Sequence, residues 1–118
     1  METINPKRSR YLAKLAFPDY KGRKFFEQRQ ERPMSLSSYW DGGSCDKYAV
    51  VNLDTLEVSH APSSHPCFDK YGKAAMQERV VIPVGFVIVK RTYFCGKEFG
   101  LTVIYPALRD LTVELLPA

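Results

Sequence analysis

Long hydrophobic runs are missing from this sequence. The nearest approach is Val80–Val89, ten residues broken by Pro83 and Gly85, whereas a membrane-spanning helix needs about 20 apolar residues. Near the N-terminus, Lys7, Arg8 and Arg10 precede a short apolar stretch that Lys14 interrupts, so no secretory hydrophobic region is expected. Cysteine is sparse and odd in number: Cys45, Cys67 and Cys95. Small secreted domains stapled by disulfides carry an even and denser set. Free thiols and a cytoplasmic location are the expectation. Low-complexity segments, internal repeats and runs of five like charges are absent, which excludes collagen-like chains and a disordered polybasic tail.

What is present is ordinary in bulk and uneven in distribution. The chain has 118 residues, 45% hydrophobic and 25% charged, so residues 1–118 are read as one domain, well below the roughly 200–250 residues at which a core divides. Its 17 Lys plus Arg outnumber 13 Asp plus Glu. Nine of those cations lie in residues 1–32 (Lys7, Arg8, Arg10, Lys14, Lys21, Arg23, Lys24, Arg29 and Arg32), against Glu2, Asp19, Glu27 and Glu31. The segment is net +5 and the remaining 86 residues are net −1. A local basic field attracts polyanions or acidic surfaces; it also serves solubility alone.

Local signals set the expected elements. Asn5-Pro6 is a helix start, a capping side chain followed by proline at the first helical position. Tyr11, Leu12, Leu15 and Ala16 share a face at helical spacing, and Phe17-Pro18 ends the helix. Arg23–Arg32 has two readings: its Glu, Gln and Arg suit a helix, but it leans towards an extended segment in which Phe25 and Phe26 occupy opposite faces. Leu36–Trp40 and Asp46–Leu53 flank the turn Asp41-Gly42-Gly43-Ser44 and predict one hairpin. Asp54-Thr55 separates Tyr48–Leu53 from Leu56–His60 and predicts a second. Residues 61–79 are read as a long loop. Val80–Ile82, a bend at Pro83-Val84-Gly85, and Phe86–Phe94 follow, the last with Phe86, Val87, Ile88 and Val89 apolar on both faces as at a sheet centre. Gly96–Gly100 is expected to connect to Leu101–Tyr105, and Leu111–Leu115 alternates as a final strand. The fold expected is mainly β: a small antiparallel sandwich or partly open barrel of six or seven strands with a short N-terminal helix.

Chemistry-bearing residues are few. Cys45, His60, His65 and Cys67 are the candidate metal ligands, of types zinc accepts, but no C-x-x-C or H-x-x-x-H pair anchors half a site, and no cofactor is expected. Cys67 and Cys95 are the candidate nucleophiles, with His60 or His65 as the base, but no nucleophile elbow or Cys–His family signature is present. Asp41, Asp46, Asp54 and Glu57 are the central acids, and turn geometry accounts for Asp41 and Asp54. The glycine-bearing turns lack the phosphate-loop ending.

The composition best suited to a ligand is the aromatic-and-basic N-terminal segment. Lys7, Arg8, Arg10, Lys14, Lys21, Arg23 and Lys24 are the candidate anion contacts, and Tyr11, Tyr20 and Trp40 the candidate stacking rings. Bases bind to aromatic faces beside phosphate-neutralising cations. Tyr93-Phe94 beside Lys90 and Arg91 is a smaller cluster of the same kind. Sheet edges and the apolar ending Leu115-Leu116 point to pairing with another chain, either a second copy or a different protein. The expected function is therefore binding or regulation through a protein–protein interface rather than catalysis. Nucleic-acid or nucleotide binding through the N-terminal segment is the alternative. A small Cys- or carboxylate-dependent hydrolase is the third reading.

Overall fold

A computed structural model describes residues 4–35, 44–60 and 79–108, with backbone alone for 34–35, 44–46 and 79–80. Its single helix among these residues, α1, spans Pro6–Ala16. Asn5 sits in extended geometry and its Oδ1 accepts the Lys7 N–H at 2.9 Å, which satisfies one of the helix's orphan donors. Pro6 has no N–H to lose there. Ser9, Leu12, Ala13 and Ala16 are buried, while Lys7, Arg8, Arg10, Tyr11 and Lys14 face outward. Phe17 caps the helix, its N–H reaching Ala13 O at 3.0 Å, and Pro18 disfavours another turn.

Seven strands follow among the described residues: β1 Phe25–Arg29, β2 Met34–Ser35, β3 Ser44–Asn52, β4 Val58–His60, β5 Arg79–Val80, β6 Phe86–Phe94 and β7 Lys97–Tyr105. Five form one sheet in the order β1-β7-β6-β3-β4; β2 and β5 form a separate antiparallel ribbon. β6 lies at the centre, between β3 and β7, which explains its apolar residues on both faces. The second expected hairpin is present as β3–β4, with Val51 opposite Val58. Its turn is held by Asn52 Oδ1, which accepts from the N–H groups of Asp54 at 2.9 Å and Thr55 at 3.2 Å.

The architecture is mainly β, but the sheet is mixed and open. β1 runs parallel to β7, from Phe25 opposite Leu101 to Arg29 opposite Tyr105, and β1 and β4 end the sheet without closing it. The expected small antiparallel sandwich or partly open barrel is met only as a mainly β architecture, since one pairing is parallel and the sheet is not closed. Tight turns specify antiparallel neighbours, whereas β1 is placed by a contact between distant parts of the chain, with α1 packed over it. A sandwich is not formed by the described residues, whose second sheet is the short β2–β5 ribbon. The turn between β6 and β7 is also tighter than expected. Residues 97–100 belong to β7, and Cys95-Gly96 alone reverses the chain. Leu36–Trp40, most of the 61–79 loop and the Leu111–Leu115 strand lie outside the described residues.

The core lies between α1 and one face of the sheet. Leu12, Ala13, Ala16, Phe17 and Tyr20 pack on Ala49, Val51, Val87, Val89, Leu101, Val103 and Tyr105. Ser9 Oγ and the Tyr105 hydroxyl share a buried hydrogen bond of 2.8 Å. Phe25 packs against this core and Phe26 is exposed, as alternation along β1 requires. On the other face Val50, Ile88 and Ile104 are buried, but two residues further along β6 and β7 the pattern becomes Lys90 opposite Thr102 and Thr92 opposite Gly100. That polar stretch floors the site described next.

Candidate ligand-binding cleft

The cleft lies on the sheet face away from α1 and has a volume of about 450 Å³. β1 contributes Phe26, Glu27 and Gln28; β6 contributes Lys90 and Thr92; β7 contributes Phe99, Gly100 and Thr102. Its most distinctive part is a pair of phenyl rings. Phe26 and Phe99 lie almost parallel, 11° between planes and 6.2 Å between centroids. Both are open to solvent, with 42% and 47% of their surface exposed, which is unusual for phenylalanine. Lys24 Nζ stands 4.9 Å from the Phe99 centroid, within cation–π range.

A β-bulge puts Phe99 there. Thr92 faces Gly100 and Tyr93 faces Glu98, so β7 carries one extra residue, Phe99, at that point. Strand alternation would otherwise place Glu98 and Gly100 on one face and Phe99 on the other. With the bulge, Glu98 turns towards the helix side, while Phe99 and Gly100 both line the cleft. Gly100 is required by the close approach of Phe26: a Cβ there would lie 2.8 Å from Phe26 Cε2.

On the other side of the sheet, Arg91 holds the region together. It is 6% exposed. Its Nη1 donates to Asp19 Oδ1 at 2.9 Å and its Nη2 pairs with Glu98 Oε1. The guanidinium also lies 5.4 Å from the Phe17 centroid, 5.4 Å from Tyr93 and 6.0 Å from Tyr20. The hydrogen bond from Arg91 holds the Asp19 carboxyl below the usual carboxylate range. Arg91 Nε is buried and makes no hydrogen bond among the described residues.

The candidate anion contacts are divided between two surfaces. Lys7, Arg8, Arg10 and Lys14 are exposed on α1, opposite the cleft, and Lys14 Nζ donates to Tyr20 O at 2.6 Å. Lys21 and Arg23 are exposed in the connection to β1. Lys24 reaches the cleft. Of the candidate stacking rings, Tyr11 is 55% exposed on α1. Tyr20 is corrected: it is 1% exposed, edge-on to Phe25, and its hydroxyl donates to Lys24 O, so its faces are occupied by core neighbours. Trp40 lies outside the described residues.

Among the candidate ligands and nucleophiles, His60 Nε2 is 2.8 Å from Ala16 O, and its ring meets Phe17 edge-on. That bond satisfies a carbonyl at the end of α1. Cys45 lies on β3 with its side chain undescribed, and His65 and Cys67 lie outside the described residues. Cys95 is exposed with a free thiol. Among the described residues no three His, Cys, Asp or Glu side chains converge. Asp54 and Glu57 are exposed in the β3–β4 turn; Asp41 and the Asp46 side chain are not described.

Phe99, Gly100, Thr92, Thr102 and Gln28 were not singled out by the sequence. Alternation assigned Phe99 to a connection rather than a face, and no local pattern announces the bulge. The clue available was Lys24-Phe25-Phe26, a cation beside two rings of which one must be exposed. No family model, curated protein or solved structure matches this chain.

Proposed function

We propose that this chain is a binding protein that takes single-stranded nucleic acid on the open face of its sheet. The observation that carries the reading is the exposed, near-parallel Phe26–Phe99 pair with Lys24 beside it. Flat rings offered to solvent suit nucleobases of any sequence, and adjacent lysines neutralise the backbone. Lys90 supplies a second cation, and Thr92, Thr102 and Gln28 supply hydrogen-bonding groups along the floor. In this reading the ligand lies beside Lys24, one of the candidate contacts of residues 1–32, on the face opposite the α1 cations.

The test is fluorescence anisotropy with a labelled fifteen-residue oligothymidylate. Phe26→Ala and Phe99→Ala are each expected to weaken binding by roughly 5- to 150-fold, the worth of one base–aromatic stack. With Lys24 and Lys90 meeting two phosphates, affinity falls about sevenfold between 50 and 200 mM salt. The triple variant Lys7→Ala, Arg8→Ala, Arg10→Ala keeps nearly full affinity. Absence of binding by the wild type, or unchanged binding by Phe99→Ala, refutes the proposal. A protein partner is the second reading, favoured by the exposed rings of Phe26, Phe94 and Phe99; it predicts an interface that salt hardly weakens.

A further inference from the structure

The bulge that delivers Phe99 to the cleft is a choice between two registers of one hairpin. In the observed register Cys95 and Gly96 form the two-residue turn, both at positive φ (51° and 78°), the geometry of a type I′ turn. Phe94 then faces Lys97 and Tyr93 faces Glu98. Removing the bulge while keeping Thr92 opposite Gly100 places Phe99 opposite Tyr93 and Glu98 opposite Phe94. The turn then becomes the three residues Cys95-Gly96-Lys97, another common hairpin length. Because opposed residues share a face, the slip exchanges two side chains. Phe99 leaves the cleft for the helix side, and the Glu98 carboxylate enters it.

Local turn chemistry alone selects weakly between these registers, since Cys95 is not a residue that favours positive φ. Arg91 decides. It is buried on the helix side, one of its carboxylate partners is Glu98, and that pair exists in the bulged register. In the slipped register the guanidinium keeps Asp19 alone and the Glu98 carboxylate sits beside the rings. Removing one partner from a buried ion pair is strongly unfavourable. The Lys21 N–H, 3.4 Å from Glu98 Oε2, holds the same carboxylate from the second side.

We infer that Arg91 is the positioning residue of the cleft: by holding Glu98 on the helix side, it selects the hairpin register that places Phe99 beside Phe26. The effect on affinity rests on the binding proposal, but the register is read without any ligand.

The experiment combines nuclear Overhauser contacts across the β6–β7 hairpin with oligothymidylate anisotropy, on the full chain and on Glu98→Met, Glu98→Gln and Arg91→Met. The wild type is expected to show cross-strand contacts from Tyr93 to Glu98 and ring contacts from Phe26 to Phe99. In Glu98→Met the contact from Tyr93 moves to Phe99, and the Phe26–Phe99 contacts are lost. Affinity falls by the same factor as in Phe99→Ala, and the double variant Glu98→Met, Phe99→Ala is no weaker than Phe99→Ala. Glu98→Gln, which keeps an acceptor for Arg91, retains the wild-type register. Arg91→Met repeats the Glu98→Met result, and if it does not fold, Glu98→Met carries the test. Wild-type contacts in Glu98→Met overturn the inference. A register that shifts as described in a protein that binds no oligonucleotide refutes the ligand and leaves Arg91's role standing.

Discussion

The bond between Ser9 and Tyr105 is a buried polar tie between α1 and the sheet, and its removal has a calculable and asymmetric cost. Ser9 is 1% and Tyr105 4% exposed, and their oxygens are 2.8 Å apart. Tyr105→Phe deletes the bond but leaves the serine an alternative. Its hydroxyl can turn back to Asn5 O, the carbonyl that already accepts its N–H, as serine does elsewhere in helices. The expected loss is about 1 kcal/mol. Ser9→Ala strands the buried phenol, which costs about 1–3 kcal/mol, offset by about 0.5 kcal/mol of better helix propensity. The double variant leaves two apolar groups in contact and should lie within about 0.5 kcal/mol of wild type. A coupling energy of about 1–4 kcal/mol follows, read from urea unfolding of the four proteins at constant m-value. Each kcal/mol corresponds to about 4 °C in Tm for a domain of this size. Additive single effects, with the double variant the least stable of the four, would refute the claim that this bond ties the helix to β7.

Three further outcomes are open to measurement. Asp19 has its folded pKa lowered by Arg91, so its contribution is complete above the unfolded carboxylate value and is lost as pH falls through the lower folded one; the urea midpoint of Asp19→Asn should therefore fall less steeply than wild type below about pH 4. Gly100→Ala places a methyl group against Phe26 and is expected to displace that ring, lowering oligothymidylate affinity towards that of Phe26→Ala while Tm changes by only a few degrees. Cys95→Asn, at φ 51°, should stabilise the protein by about 0.5–1 kcal/mol, because asparagine tolerates the left-handed region better than other non-glycine residues; a lower Tm would contradict the turn geometry.

The sequence was most legible where the chain speaks to its near neighbours. Asn5, Pro6 and the Phe17-Pro18 pair bound α1 through local hydrogen bonding and proline sterics. Phe86–Phe94 is bounded by turn residues and its first four residues are apolar on both faces, and β6 occupies those nine residues. Arg23–Arg32 suits a helix by its Glu, Gln and Arg, and packing against β7 and α1 makes Phe25–Arg29 of it a strand. The parallel pairing of Phe25 with Leu101 has no local signature at all. The same holds for the cleft. Its cation Lys24 and ring Phe26 were visible as composition, whereas Phe99 entered through a one-residue bulge that hydrophobic alternation cannot register. Charge counting carries no spatial information. It treated the first 32 residues as one patch, but a sheet separates the α1 cations from Lys24.

The pairing of β1 with β7 has a consequence for how the chain acquires its shape. During synthesis α1 and β1 emerge early, yet the strand they pack on is completed only at Tyr105. Until then the apolar stripe of Leu12, Ala16 and Phe17 lacks the β7 part of the sheet that covers it, and a helix of 11 residues is marginal in water by itself. The hairpin β6–β7 and its partner β3 can assemble first, since their contacts span shorter stretches of chain. The N-terminal segment then docks last on a preformed surface. Ribosome-stalled chains ending before β7 should accordingly leave residues 5–29 open to protease, and chains extended past Tyr105 should protect them in a single step.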